Sequence, residues 1–222
     1  MLIDYKTDIK RINALLKEDE HEYCSNFGEG NCCLIGVKCL MVFRIMFLIP
    51  MLWLAKTILY TKPKDFWLMG SYWGFHLAWM SLASQIIAGF GASKFWSKCA
   101  QYTSTLSLSM SVSICILYWP FEWHNFLHDK RDFTLFTSGF VHSTPFVVNV
   151  LNLLLSNTVF LKKDSKYGSL MQFSYMPINL LGGTKLFFGR PVYYQSNLTD
   201  WSTPWITFGM YCCSAFVQFL SI

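Results

Sequence analysis

Residues 66–90 read FWLMGSYWGFHLAWMSLASQIIAGF, a stretch of 25 positions without one charged side chain. An α-helix rises about 1.5 Å per residue, so about 20 apolar residues cross the roughly 30 Å hydrocarbon layer of a bilayer. This stretch is long enough. Moving outward in both directions, five more apolar stretches of comparable length appear at 39–60, 99–121, 133–161, 167–184 and 201–222. The spacing predicts an all-α fold, an integral membrane bundle of six transmembrane helices over residues 39–222, preceded by a polar tail over 1–38.

Composition agrees. Of 222 residues, 53% are hydrophobic, 18% aromatic and 14% charged, against about 25% charged in soluble domains. Collagen-like and disordered classes are excluded on this ground. The formal net charge of +5 comes from Lys and Arg scattered through short loops, with no basic run of the kind a nucleic-acid arm requires. The eight cysteines include two adjacent pairs and no C-x-x-C spacing, which argues for buried thiols acting as small hydrophobes rather than for a zinc site.

The tail alternates Lys6, Lys10, Arg11 and Lys17 with Asp4, Asp8, Glu18, Asp19, Glu20, Glu22 and Glu29. A secretory signal needs a basic stretch followed by an apolar one, and a mitochondrial presequence is poor in acids, so the pattern fits neither. Ile9, Ile12, Leu15 and Leu16 recur at helical spacing, an amphipathic pattern suited to a membrane surface or a partner.

Within the spans, three features set expectations. Arg44 lies well inside 39–60, where a charge costs about 2.5 to 3.5 kcal/mol to insert, so it should face the bundle or lie near an interface. Gly70 and Gly74 in the second span, and Thr103, Ser107 and Ser111 in the third, put small residues at i, i+4 on one face, a pattern that lets helices approach closely. The 133–161 stretch exceeds one crossing and contains Pro145, which predicts tilt, a kink or an extension beyond the hydrocarbon.

Six crossings would put both ends of the chain on one side. Lys6, Lys10, Arg11, Lys17, Lys38, Lys94, Lys98, Lys162, Lys163 and Lys166 would share that side. Lys56, Lys62, Lys64, Lys130, Arg131, Lys185 and Arg190 would face the other. The excess favours termini inside, and the sequon Asn197-Leu198-Thr199 outside.

Polar groups within apolar spans are where chemistry is sought. Ser71 and His142 stand on different spans. A histidine reaching a serine hydroxyl is a general base for a nucleophile suited to ester or thioester cleavage; ordinary interhelical hydrogen bonding is the competing role. His76 and His142 together could supply axial imidazoles to a haem. His124 and His128 in the loop after the third span share one helical face, a weak metal pattern beside Glu122 and Asp129. Neither pattern is full enough for a cofactor to be expected.

Several stretches together resemble the rolling stone-like multipass membrane proteins, which in turn look related to the androgen-induced membrane hydrolases of fatty-acid esters of hydroxy fatty acids. They are Asp200-Trp201-Ser202-Thr203-Pro204 after Pro191-Val192-Tyr193-Tyr194, Phe43-Arg44-Ile45 in the first span, Leu117-Tyr118-Trp119, and the aliphatic run from His142 to Leu155-Ser156. The resemblance implies that a catalytic threonine falls on Ser71, before Tyr72-Trp73-Gly74, and a catalytic histidine on His142. Two departures stand against activity: Ser71-Tyr72 replaces Thr-Asn, and Ser143-Thr144-Pro145 replaces the Gly-x-Asn after the histidine.

The function expected from the sequence is that of a non-catalytic accessory or structural subunit of a larger membrane complex. Its partners would be membrane lipids and other membrane subunits, without nucleic acid. An internal membrane such as the mitochondrial inner membrane would suit it, with endoplasmic reticulum and plasma membrane as alternatives. Arg44, Gly70, Gly74, Ser107 and Ser111 would serve helix packing or lipid contact. The alternative is an intramembrane acyl-ester hydrolase using Ser71 and His142.

Overall fold

The computed structural model describes residues 37–90, 94–117, 119, 135–156, 165–182 and 212, and among these the chain is all-helical. The elements in chain order are α1 (Val37–Thr61), α2 (Pro63–Leu68), α3 (Gly70–Gly89), α4 (Lys94–Leu117), α5 (Leu135–Leu155) and α6 (Ser165–Gly182). Residues 1–36 of the polar tail, the histidine-containing loop with His124 and His128, the sequon and the stretch 201–222 apart from Cys212 lie outside the described residues.

Two helices are long and apolar enough to cross a membrane, Lys38–Thr61 within α1 and Thr137–Leu155 within α5. The others follow the predicted stretches but are more polar. In α4, hydroxyls fold back onto the helix itself: Thr103 Oγ1 donates to the Cys99 carbonyl at 2.7 Å, Thr105 Oγ1 to Gln101 at 3.1 Å and Ser113 Oγ to Ser109 at 2.9 Å. Such back-bonding satisfies a hydroxyl without a second helix.

The second predicted stretch is broken once. Met69 is extended, with φ −83° and ψ 128°, and separates α2 from α3. A helix start leaves backbone N–H groups without intrahelical acceptors. Met69 has no side chain able to cap them, and the acceptor comes from another helix: the Tyr175 hydroxyl of α6 receives the Gly70 N–H at 2.7 Å. The fourth stretch gives the 21-residue α5, which continues through Pro145, a residue that withholds a hydrogen bond from the Val141 carbonyl one turn back.

α3 is the central element, packing against α1, α4, α5 and α2. Ser84 meets Thr103, Ser81 meets Ser104, and Gly74 faces Met110 and Ile114, so α3 and α4 run antiparallel. Asn149 of α5 reaches back to Ser107 and Ser111 of α4. The apolar core gathers Met51, Leu54, Ala55 and Ile58 of α1 with Tyr72, Phe75, Ala78 and Leu82 of α3 and Val141 and Val148 of α5.

α1 shows how polarity is distributed. Its inward stripe runs Leu40, Arg44, Met51, Ala55 and Ile58, at three- to four-residue spacing or its multiples, and Arg44 is 0% exposed. On the outward face Met46 is 66%, Ile49 63% and Trp53 68% exposed. The cation is inside and the large apolar side chains are outside. In water this ordering is unfavourable, because buried charge and exposed apolar area both cost free energy.

Candidate functional site: a buried polar relay

Arg44 is the deepest charge in the described structure and heads a chain of hydrogen bonds across four helices. Its Nε donates to Asn152 Oδ1 of α5 at 2.9 Å. Asn152 Nδ2 donates to Gln85 Oε1 of α3 at 2.8 Å. Gln85 Nε2 then donates to Ser81 Oγ at 2.9 Å and to Ser104 Oγ of α4 at 2.7 Å. The two serine hydroxyls are 3.0 Å apart, and Ser104 Oγ donates to the Ala100 carbonyl. All of these side chains are buried.

The guanidinium sets the direction of the chain. Arginine only donates, so the Asn152 amide must present oxygen to it and nitrogen to Gln85, and Gln85 must present oxygen to Asn152 and nitrogen to the serines. Both amide dipoles therefore point negative end toward the cation. The relay also lies near the C-terminal ends of α3 and α5, where unsatisfied carbonyls carry negative partial charge. Asp65 is the one acidic residue within the described residues, and it belongs to α2 at the other end of the bundle. The Asn152 amide oxygen and the negative partial charge of the helix ends therefore both act to compensate Arg44.

A second polar set lies about one turn along the same α4–α5 seam. Asn149 Nδ2 donates to Ser107 Oγ at 2.7 Å and to Ser111 Oγ at 3.1 Å. Ser107 and Ser111 therefore accept from an amide on α5. Gly74 is the close-approach position toward α4, because a Cβ there would meet the end of the Ile114 side chain. Gly70 faces an aromatic ring instead: a Cβ would come within 2.8 Å of Tyr175 Cε1.

Ser71 is buried in the first turn of α3. His142 is in α5, a helix that packs against α3. From the level of the relay, Ser71 is about 21 Å and His142 about 15 Å toward the opposite end, at 1.5 Å per residue, so both occupy the same half of the bundle. His142 Nδ1 is 2.6 Å from the Ser138 carbonyl and 3.5 Å from Ser138 Oγ. A carbonyl can only accept, so Nδ1 carries the proton and the lone pair is on Nε2.

His76 is tied down through both nitrogens. Nδ1 accepts from Trp79 Nε1 at 3.2 Å, and Nε2 is 3.4 Å from the Phe66 carbonyl, with the His76 ring centre 4.1 Å from that of Phe66 and the two rings tilted by 45°. That arrangement braces α2 on α3 and opposes axial ligation of a haem by His76. Among the described residues no group of three or more His, Cys, Asp or Glu side chains is placed to hold a metal ion.

Gln85, Asn149 and Asn152 complete these polar sets, and none of them stands out in the sequence through a motif. The signal was present, since each is an amide in an otherwise apolar run, SQII, VVNV and LNLL. The same polar-in-apolar criterion that selected Ser71 and His142 selects them.

Comparisons with family models, with curated proteins and with solved structures gave no match to the chain.

Proposed function

We propose that the protein is a polytopic membrane protein, a bundle of six transmembrane helices with 201–222 as the sixth, acting as a non-catalytic accessory or structural subunit of a larger membrane complex. The observation that carries this reading is the inversion on α1, where Arg44 is fully buried in a relay of amides while Met46, Ile49 and Trp53 face outward. Lipid is the solvent in which that arrangement is favourable, because the outward side chains meet acyl chains and the inward polar groups satisfy one another. The relay ties four helices together and leaves the outer faces to lipid and neighbouring subunits. An internal membrane such as the mitochondrial inner membrane is part of the proposal.

Solubilisation in mild detergent followed by native electrophoresis tests it. The reading predicts migration in an assembly well above the size of one 25.8 kDa chain. Migration as a lone monomer contradicts it.

One observation favours a second reading. The bond from His142 Nδ1 to the Ser138 carbonyl leaves the basic lone pair on Nε2, the tautomer a general base needs. With Ser71 as nucleophile, this supports an intramembrane acyl-ester hydrolase, the activity that the rolling stone-like resemblance suggests.

A further inference from the structure

The end of the bundle where α4 and α6 begin combines charge and aromatic surface in a way that the relay and the proposed scaffold role do not use. Lys98 and Tyr102 are one turn apart on α4. Lys166 and Tyr167 are in the first turn of α6. The Tyr102 and Tyr167 rings meet edge to face at 5.3 Å, and Lys166 Nζ lies 5.2 Å from the centre of the Tyr167 ring. The tyrosine contact therefore brings the two lysines to the same seam.

Two further features distinguish this seam from a solvated lysine pair. Leu170 and Phe173, one and two turns beyond Lys166 on the same face of α6, are both largely exposed, forming an apolar track that runs from the charged end toward the middle of the bundle. Phe90, Phe95 and Trp96 are exposed at the same end, matching the aromatic belt that membrane proteins place at headgroup level. No acidic side chain occurs among the described residues of α4 or α6, and both helices point their N-termini, with partial positive charge, at this end.

We propose that the seam between the first turns of α4 and α6 binds the headgroup of an anionic phospholipid. Lys98 and Lys166 supply the counter-charge, the Tyr102–Tyr167 pair supplies the interfacial platform, and Leu170 and Phe173 supply the surface along which an acyl chain lies. The proposal rests on the membrane reading above. The acidic segment Glu18, Asp19, Glu20 and Glu22 of the tail is the rival occupant; the exposed aromatic residues at the same end, which mark headgroup level, favour lipid.

The test reconstitutes the full chain in phosphatidylcholine vesicles containing spin-labelled phosphatidylglycerol or spin-labelled phosphatidylcholine, and compares the motionally restricted fractions. At low salt the wild type is expected to prefer phosphatidylglycerol by up to about thirtyfold, the ratio that two interfacial lysines at about 1 kcal/mol each supply. Lys98→Gln with Lys166→Gln brings the ratio close to one, Lys98→Arg with Lys166→Arg retains it, and Lys56→Gln at the opposite end leaves it unchanged. Incorporation without selectivity, or selectivity that survives the double glutamine variant, overturns the proposal alone. Selectivity that emerges only after the four tail acids are neutralised overturns it in favour of the tail. A wild-type chain that does not enter vesicles overturns the membrane reading and this proposal with it.

Discussion

Arg44 Nε donates to Asn152 Oδ1 at 2.9 Å across 108 positions of sequence, with both side chains buried. Arginine is hydrated less strongly than an ammonium and holds its donors in a planar fork, which suits a cation that must be bound by amide oxygen. The bond fixes α1 to α5, and through Gln85 it fixes both to α3 and α4.

Removing one member of this pair should cost more than removing both. Asn152→Leu removes one acceptor from the guanidinium and a donor from Gln85 Oε1, and is expected to destabilise the bundle by about 1.5–3 kcal/mol, the range for a buried hydrogen bond to a charged group. Arg44→Leu with Asn152→Leu should recover a substantial part of that loss. Thermal unfolding of the wild type, Arg44→Leu, Asn152→Leu and the double variant in one detergent checks it, and strictly additive effects would remove the coupling.

The two glycines of α3 should respond differently to alanine. A Cβ at Gly70 would come within 2.8 Å of the Tyr175 ring, and that ring is pinned because its hydroxyl accepts the Gly70 N–H. Gly70→Ala is therefore expected to cost about 1–3 kcal/mol, as overpacking does. At Gly74 the obstacle is the terminal methyl of Ile114, which can rotate away, so Gly74→Ala should cost less than about 1 kcal/mol. Melting temperatures of the two variants decide it. Equal losses would mean that Tyr175 is not held as described.

The hydrolase reading makes its own demand. If Ser71 is activated through His142 Nε2, a fluorophosphonate probe should label the folded wild type, and both Ser71→Ala and His142→Ala should abolish labelling. Unlabelled wild-type protein would leave Ser71 and His142 as packing groups.

Much of the bundle is legible in the sequence because uncharged length translates directly into helix. The stretches 39–60 and 167–184 match α1 and α6 to within two residues, while α4 begins five residues before the 99–121 stretch and ends at Leu117. The break at Met69 is not legible, since its cause is an acceptor on Tyr175, 105 positions from Gly70. Burial of Arg44 follows from the cost of a charge in lipid, but its partner does not, because any of several amides could serve until the helices are packed. Ser107 and Ser111 read as small residues for close approach; in the structure they are also acceptors for Asn149, a role visible only once α5 lies beside α4.

The central claim is that the outward face of α1 meets lipid, and one substitution tests it most directly. Ile49 is 63% exposed and midway along α1, about 18 Å from either end at 1.5 Å per residue, too far for a lysine to reach either interface easily. On a protein surface in water, Ile49→Lys would change stability by no more than about 0.5 kcal/mol. Facing hydrocarbon, it should cost about 2.5–3.5 kcal/mol. The measurement is the fraction of the Ile49→Lys protein that remains in the membrane after alkaline carbonate extraction, relative to wild type. The account predicts a severalfold loss; a wild-type protein released into the soluble fraction, or a variant retained as well as the wild type, would contradict it.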